Sequence, residues 1–204
     1  AEWLAQMSDV PVKPDDYNVQ LHSPENTMQN RQIRWRYAMN AANTLLMFQR
    51  LGGEFAWANF NNFANTWGQN VLECPKERVF LSAAGRVFEL FSDCGAVWPL
   101  ASTMTPASAE VIGQAAWDSE WRTLVILVLN YRHESVVMNC RLNELERRFI
   151  DAEICSLSAD SLAAHNALAN PHAITRNEQR SAVAADNAIE TTLPPFSVTR
   201  IMCR

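Results

Sequence analysis

Apolar residues in the first half of the chain recur every three or four positions, which is the period of one face of an α-helix. The first such run opens at Ser23-Pro24 and closes at Gly52-Gly53. Serine before proline is typical of a helix start, and glycine is typical of a helix end. We therefore predict a helix over 23–51, whose apolar face consists of Met28, Trp35, Ala38, Ala42 and Leu45.

Three more helices are predicted before residue 118. The segment of about 54–72 repeats large apolar residues at helical spacing, namely Ala56, Phe60, Phe63 and Trp67. A third run follows Pro75 and stops at Asp93-Cys94-Gly95, with its inward positions at Val79, Phe80, Ala83, Val87, Phe88 and Phe91. A short helix is predicted from Thr105-Pro106 toward Trp117, because proline is accepted in the first turn of a helix.

Residues 121–131 contain the longest apolar run, from Leu124 to Leu129. The run is short, continuous and rich in branched side chains, a pattern that fits a buried strand as well as a buried helix. Helical patterns on both sides favour a helix. A buried strand near 123–130 is the alternative.

The last third of the chain is also predicted to be largely helical. Residues 142–156 contain the charge pairs Glu144–Arg148 and Arg147–Asp151 at the i,i+4 spacing that stabilises helices. Further helices are predicted from Ser158 to about 170 and over 175–189. The prolines at 194 and 195 interrupt the helical pattern, and 197–202 is predicted to be extended.

These elements predict a mainly α fold with irregular multi-helix packing and extended terminal arms. Residues 1–22 would be an N-terminal arm anchored by Trp3 and Tyr17, with a surface loop as the equal alternative. Residues 23–156 would form a helical core, and 157–204 would add peripheral helices and an extended C-terminal arm. The three segments would make one continuous domain or a segment of a larger protein.

The composition of the chain indicates which partners and which cellular compartment to expect. The chain is 48% hydrophobic and has a formal net charge of −5. It therefore has no overall excess of positive charge that would favour binding to nucleic acid or an anionic membrane. No apolar run approaches the roughly 20 residues that span a bilayer. Five cysteines without a CxxC pair are typical of reduced thiols. These features predict a soluble protein that contacts no membrane and is intracellular, cytoplasmic, or part of a virion if viral.

Arginine dominates the basic residues, since only Lys13 and Lys76 among the seventeen are lysines. Arginine, methionine and aromatic residues are enriched at protein interfaces, whereas lysine is depleted there. The chain also has seven tryptophans and seven methionines. We therefore predict a surface that other protein covers, with Trp3, Tyr17 and Phe196 as candidate interface residues.

One local basic patch, residues 31–37, interleaves arginines with aromatic residues. Arg31, Arg34 and Arg36 could contact phosphates while the aromatic rings stack on bases. The competing explanation is an ordinary solvated or interface face with Trp35 in the core, and the acidic total charge favours it.

No catalytic residue, metal site or cofactor is predicted. His133, His165 and His172 match no zinc-ligand spacing. Cys94 and Cys140 are best explained as structural thiols, although a Cys140–His133 pair is conceivable. The carboxylates near Asp118 have structural explanations, and glycine-rich phosphate loops are absent from the sequence.

The sequence therefore predicts a structural or interaction protein without catalysis of its own. It would be a subunit or segment of a large assembly such as a viral capsid shell, and its partners would be copies of itself or other chains of that assembly. Two alternatives are an enzyme whose site is invisible in the sequence and a nucleoprotein-like module that contacts RNA through the 31–37 patch.

Overall fold

The computed structural model describes residues 34–51, 60, 63–64, 70–74, 78–94, 97–119, 122–142, 147–184 and 186–204. The helices in these ranges are α1 (Trp35–Leu51) and α2 (Ala83–Ser92). The strands are β1 (Leu72–Glu73), β2 (Phe80–Leu81), β3 (Val97–Pro99), β4 (Val111–Asp118), β5 (Thr123–Asn130), β6 (Val136–Arg141), β7 (Asp151–Ser158), β8 (Thr175–Ala182), β9 (Ala188–Leu193) and β10 (Ser197–Cys203).

An antiparallel sheet of six strands, in the order β3-β4-β5-β10-β7-β8, forms the centre of the fold. The last strand of the chain, β10, lies between β5 and β7, so that Ile201 is opposite Ile126 on one side and Ile154 on the other. Every residue of β5 and β10 is buried. Both faces of the sheet are therefore covered at its middle.

Alternate residues of the central strands point to opposite faces. On one face, Ile126, Ile154 and Ile201 join a core with Ile189 and Leu193 of the separate two-stranded sheet β6–β9. This arrangement is a β-sandwich, in which the two-stranded sheet packs against the six-stranded one.

The helices cover the other face of the large sheet. Leu127 and Leu129 of β5 join a second core with Trp35, Met39 and Leu46 of α1, all of which are fully buried. Side chains also fix the ends of α1. The indole nitrogen Nε1 of Trp35 donates to the carbonyl of Phe196 at 2.5 Å, and Nη2 of Arg50 donates to the carbonyl of Gly113 at 2.8 Å.

The prediction of a mainly α fold with irregular multi-helix packing is wrong, because strands make up most of the regular structure in the described residues. The run from Leu124 to Leu129 is a strand, not the favoured helix. The predicted short helix toward Trp117 is β4, whose buried positions alternate with half-buried ones over most of its length.

The helices expected over 142–156, 158–170 and 175–189 are also wrong. Residues Asp151–Ser158 and Thr175–Ala182 pair with each other as the antiparallel strands β7 and β8. The supposed helical charge pair of Arg147 and Asp151 does not exist as such, because Asp151 begins β7. Arg147 instead lies 5.6 Å from the ring centre of Trp117.

Some sequence predictions agree with the structure in part. Helix α1 lies within the predicted 23–51 helix, and α2 lies within the run that follows Pro75, although Phe80 of that run belongs to strand β2. Residues 197–202 are extended, but as the buried central strand β10 and not as a peripheral arm. Most of the predicted 54–72 helix lies outside the described residues, but Phe63 of its apolar face is 71% exposed and Leu72 begins β1.

The N-terminal arm over 1–22, with Trp3 and Tyr17, also lies outside the described residues. The segment boundaries at residues 22 and 156 stay predictions. Neither helix in the described ranges is long and apolar enough to cross a membrane.

Candidate functional site

Polar side chains gather at two places in the described structure, one on each face of the six-stranded sheet. The first is an ion-pair network under α2. The second is a cleft between β8 and β9.

The network centres on Arg200, which lies in the middle of β10 and is 2% exposed. Its Nη1 donates to the carbonyl oxygen of Leu90 at 2.9 Å and contacts Oδ2 of Asp93 at 2.9 Å. Its Nη2 lies 3.5 Å from Oε1 of Glu153 on β7. The guanidinium therefore neutralises two carboxylates and satisfies a helix carbonyl, which is how a buried charge is tolerated.

A second arginine, Arg176 of β8, extends this network toward the sheet edge. It contacts Glu89 at 3.4 Å, Asp93 at 3.2 Å and Glu178 at 2.7 Å. Together the two arginines tie α2 to β7, β8 and β10. Because these ion pairs join the C-terminal half of α2 to three strands, the network can hold the helix against the sheet.

The cleft has a volume of about 490 Å³ and lies where β8 ends the six-stranded sheet. Its lining side chains include Ser156, Asn177, Gln179, Ser181, Thr191 and Thr192. Nε2 of Gln179 on β8 donates to Oγ1 of Thr191 on β9 at 3.2 Å, so the two sheets are joined across this space.

The cleft lining contains few groups that could catalyse hydrolysis. Its lining residues include one carboxylate, Glu190, one cation, Arg180, and no histidine or cysteine. General acid–base hydrolysis requires a positioned acid and a positioned base. The hydroxyl and amide side chains that remain are donors and acceptors for a polar ligand.

The predicted nucleic-acid residues do not form a described surface together. Arg31 lies outside the described residues, Arg34 is half-buried just before α1, and Arg36 is exposed. Arg34 and Arg36 both have interaction partners. The side chain of Trp35 between them is fully buried in the core, as the competing explanation expected. The RNA contact stays a prediction.

Of the predicted interface residues, Phe196 alone lies in the described part of the chain. It is half-buried against the core under the helices, and its backbone has a positive φ of 43°. Its amide donates to the carbonyl of Arg132 at 3.0 Å. These bonds give Phe196 a local role, and its role at an interface stays a prediction.

The histidines of the described residues are dispersed on the surface. His165 and His172 are exposed, and His133 lies 3.4 Å from Glu134. No group of three or more His, Cys, Asp or Glu residues that could hold a metal ion occurs in the part of the chain that the structure describes.

The five cysteines carry free thiols, and burial protects several of them from ionisation. Desolvation raises the pKa of Cys94 from 9.0 to about 11, although the nearby Arg200 opposes the shift. Desolvation also raises the pKa of Cys203 to about 12, and it raises the pKa values of Cys140 and Cys155. A neutral thiol is a poor nucleophile, so none of these four has the character of a reactive cysteine.

These pKa shifts predict that the free energy of unfolding falls as the pH rises above about 9. The native state keeps Cys94 and Cys203 protonated at a pH where the unfolded chain has lost these protons. Each such thiol lowers stability by about 1.4 kcal/mol per pH unit until its native pKa is reached. Urea unfolding between pH 7 and pH 10.5 measures the slope. Cys203→Val should make it shallower, and a flat profile for the wild type would contradict the expectation.

The cleft is not among the sites that the sequence predicts. Most of its lining residues come from β7, β8 and β9, and the predicted helices cover two of these strands. One signal was available: the odd-numbered residues from 175 to 181 are all polar with small or amide side chains, which fits one face of a strand.

Comparison with known proteins identifies the family. A family model described as the Alpha-L-arabinofuranosidase C-terminal domain matches residues 15–197. No curated protein matches the chain. This match overturns the hypothesis of a structural subunit such as a viral capsid shell, because the matched domain takes its name from a glycoside-cleaving enzyme.

Solved structures share the fold at low sequence identity. The GH51 alpha-L-arabinofuranosidase of Thermotoga petrophila RKU-1 is 19% identical, with a TM-score of 0.66 over 82% of this chain and 38% of that one. The alpha-L-arabinofuranosidase of Thermotoga maritima in its arabinose complex is also 19% identical, with a TM-score of 0.67 over 83% and 38%.

The GH51 arabinofuranosidase of Xanthomonas axonopodis pv. citri is 18% identical, with a TM-score of 0.70 over 84% of this chain and 36% of that one. The chain thus spans less than two-fifths of the length of each of these structures. From the match over 15–197, we conclude that the chain belongs to the family of alpha-L-arabinofuranosidase C-terminal domains.

Proposed function

We propose that this chain is the C-terminal, non-catalytic part of a longer glycoside hydrolase that removes L-arabinofuranosyl groups from neutral polysaccharides. The family match over residues 15–197 carries the proposal. Several solved proteins with this fold are named alpha-L-arabinofuranosidases, and each of these is more than twice as long as the part that this chain covers.

The chemistry of the described residues supports a non-catalytic role. Glycoside hydrolases use a pair of carboxylates, commonly about 5–10 Å apart, as acid and as nucleophile or base. The clustered carboxylates Glu89, Asp93 and Glu153 are held by Arg176 and Arg200. The cleft offers Glu190 alone. The catalytic pair would therefore come from the remainder of the longer protein.

The surface of the chain supports a partner within the same protein. Trp98 on the edge strand β3 is 61% exposed. Phe63 and Val79, both beside the β1–β2 hairpin, are also largely exposed, and the carbonyl of Phe63 accepts the amide of Leu72 at 2.9 Å. Contiguous patches of exposed apolar side chains mark surfaces that other protein covers, and Phe63 and Val79 would belong to one such patch beside β1 and β2. The remainder of the hydrolase would cover these.

A substrate panel tests this proposal on the complete product of the gene that encodes the chain. The expected result is release of nitrophenol from 4-nitrophenyl α-L-arabinofuranoside at a rate at least about 100-fold above those for the α-L-arabinopyranoside and the β-D-xylopyranoside. A site shaped for the five-membered ring would leave its polar groups unpaired with a six-membered ring, which costs several kcal/mol. Equal rates on all three, or none on the furanoside, would contradict the proposal.

A further inference from the structure

The cleft between β8 and β9 is a preformed polar space that the proposed function leaves without a role. Its volume of about 490 Å³ lies within the range of roughly 300–1,000 Å³ that is usual for ligand pockets. On this face of the sheet, Ile154 and Ile201 are apolar. The next paired residues on the same face, two positions along each strand, are polar. There Ser156 is opposite Thr199 on one side and Asn177 on the other.

The side chains that line the cleft are partly fixed and partly free, and Asn177 and Gln179 among them are exposed. Ser156 and Thr199 share a buried hydrogen bond of 2.9 Å, and Gln179 is held by its bond to Thr191. The side-chain amide of Asn177 has no hydrogen-bond partner among the described residues. An amide of this kind offers both a donor and an acceptor, which is the combination that a sugar hydroxyl can satisfy.

The charge of the cleft selects for a neutral ligand. Seven of its ten lining residues carry a neutral hydroxyl or amide side chain, and the charges of Arg180 and Glu190 are opposite. A phosphate site would need a surplus of cations or converging backbone amides, and a cation site would need several carboxylates. Neither surplus is present in the lining.

We infer that this cleft binds a short neutral pentose oligosaccharide. The choice of a pentose rests on the proposed function, while the choice of a neutral polyol rests on the cleft itself. None of the described lining residues is aromatic, so the ligand gains no stacking on a ring. A few net hydrogen bonds of modest strength give a dissociation constant of about 1 mM.

Titration of the ¹⁵N-labelled chain with α-1,5-linked L-arabinotriose tests the inference. Chemical-shift changes should be confined to amides of β7, β8 and β9 around the cleft and should saturate with a dissociation constant of about 1 mM. Inorganic phosphate at the same concentration serves as the comparison ligand and should cause no saturating shifts there.

Two variants remove the site in different ways. The double variant Asn177→Ala with Gln179→Ala removes both side-chain amides from the cleft lining. Ser181→Tyr fills the space and leaves those amides in place. Each should weaken binding at least about 10-fold, the loss expected for one or two net hydrogen bonds. The matched control is Asn170→Ala, which removes an exposed amide in the turn that follows β7 and lies outside the cleft lining. It should bind as the wild type does.

The outcomes separate this inference from the proposed function. The inference of a sugar site would be overturned by unchanged binding in both cleft variants. It would also be overturned if the wild type bound no arabinotriose up to about 20 times the expected dissociation constant, or if phosphate alone gave a saturating response. In parallel, the complete gene product is assayed on 4-nitrophenyl α-L-arabinofuranoside. Hydrolysis without cleft binding overturns the cleft alone, whereas cleft binding without hydrolysis overturns the proposed function and retains a neutral-sugar site.

Discussion

Replacing Arg200 with leucine is expected to lower the free energy of unfolding by about 3 kcal/mol. The change leaves Glu153 without its arginine, removes one of the two arginine partners of Asp93, and leaves the carbonyl of Leu90 without its donor. Removing one partner of a buried ion pair costs about 3–5 kcal/mol. The lower value applies here because Asp93 and Glu153 are 39% and 31% exposed and keep some contact with water. Urea unfolding at pH 7 measures the loss.

The control for this prediction is Arg141→Leu, which removes an exposed arginine at the end of β6 and should change stability by less than about 0.5 kcal/mol. Adding Glu153→Gln to Arg200→Leu should recover part of the loss, because the carboxylate that has lost its arginine is removed. If Arg200→Leu were no more destabilising than Arg141→Leu, the network would not be what holds α2 on the sheet.

The second large effect is expected for Gly85→Ala, which should destabilise the protein by about 2–3 kcal/mol. Inside an exposed helix, alanine is about 1 kcal/mol more favourable than glycine. Here a β-carbon on Gly85 would lie 2.1 Å from the backbone carbonyl oxygen of Val71, which has little freedom to move because it accepts the amide of Ser82. Overpacking against a fixed neighbour of this kind costs about 1–3 kcal/mol and occasionally more.

Gly113 is the matched control for the Gly85→Ala prediction. A β-carbon at Gly113 on β4 would meet the terminal methyl of Met104 at 2.8 Å, and that end of a flexible side chain can turn away. Gly113→Ala should therefore cost less than about 1 kcal/mol. Thermal unfolding of the two variants side by side measures both. Stabilisation by Gly85→Ala, or equal effects at the two positions, would show that α2 does not approach Val71 so closely.

The position of α2 could be predicted because its signals are local. The apolar residues from 83 to 91 have helical spacing, and Asp93-Cys94-Gly95 marks the end. The predicted start is too early, because Val79 is exposed and Phe80–Leu81 form β2. The structure adds the cap: Oγ of Ser82 accepts the amide of Gly85 at 2.9 Å, which satisfies one of the free donors of the first turn.

The type of β5 could not be predicted from its own residues. Its eight buried residues show no alternation, because helices cover one face and β6–β9 covers the other. What makes this run a strand is its pairing with β4 and β10, and β10 lies about seventy residues later in the sequence. One sequence without its pairing partners does not contain that information.

The strands β7 and β8 were mistaken for helices for a different reason. Charge pairs at i,i+4, such as Glu144–Arg148, occur by chance in a charged segment, and they stabilise a helix by only a few tenths of a kcal/mol. β8 lies at the sheet edge and is largely exposed, so it lacks the apolar alternation that reveals a strand. The cleft could not be predicted either, because it forms only when β7, β8 and β9 are recognised as strands and packed together.

The most direct test of a non-catalytic role compares arabinose release by the isolated 204-residue chain and by the complete gene product under the same conditions. We expect turnover of an α-L-arabinofuranoside by the complete product and none by the chain alone, with far-UV circular dichroism showing that the chain retains its β-rich fold. Turnover by the folded chain alone would contradict a non-catalytic role. Absence of turnover in the complete product would contradict its assignment to an arabinofuranoside-cleaving enzyme.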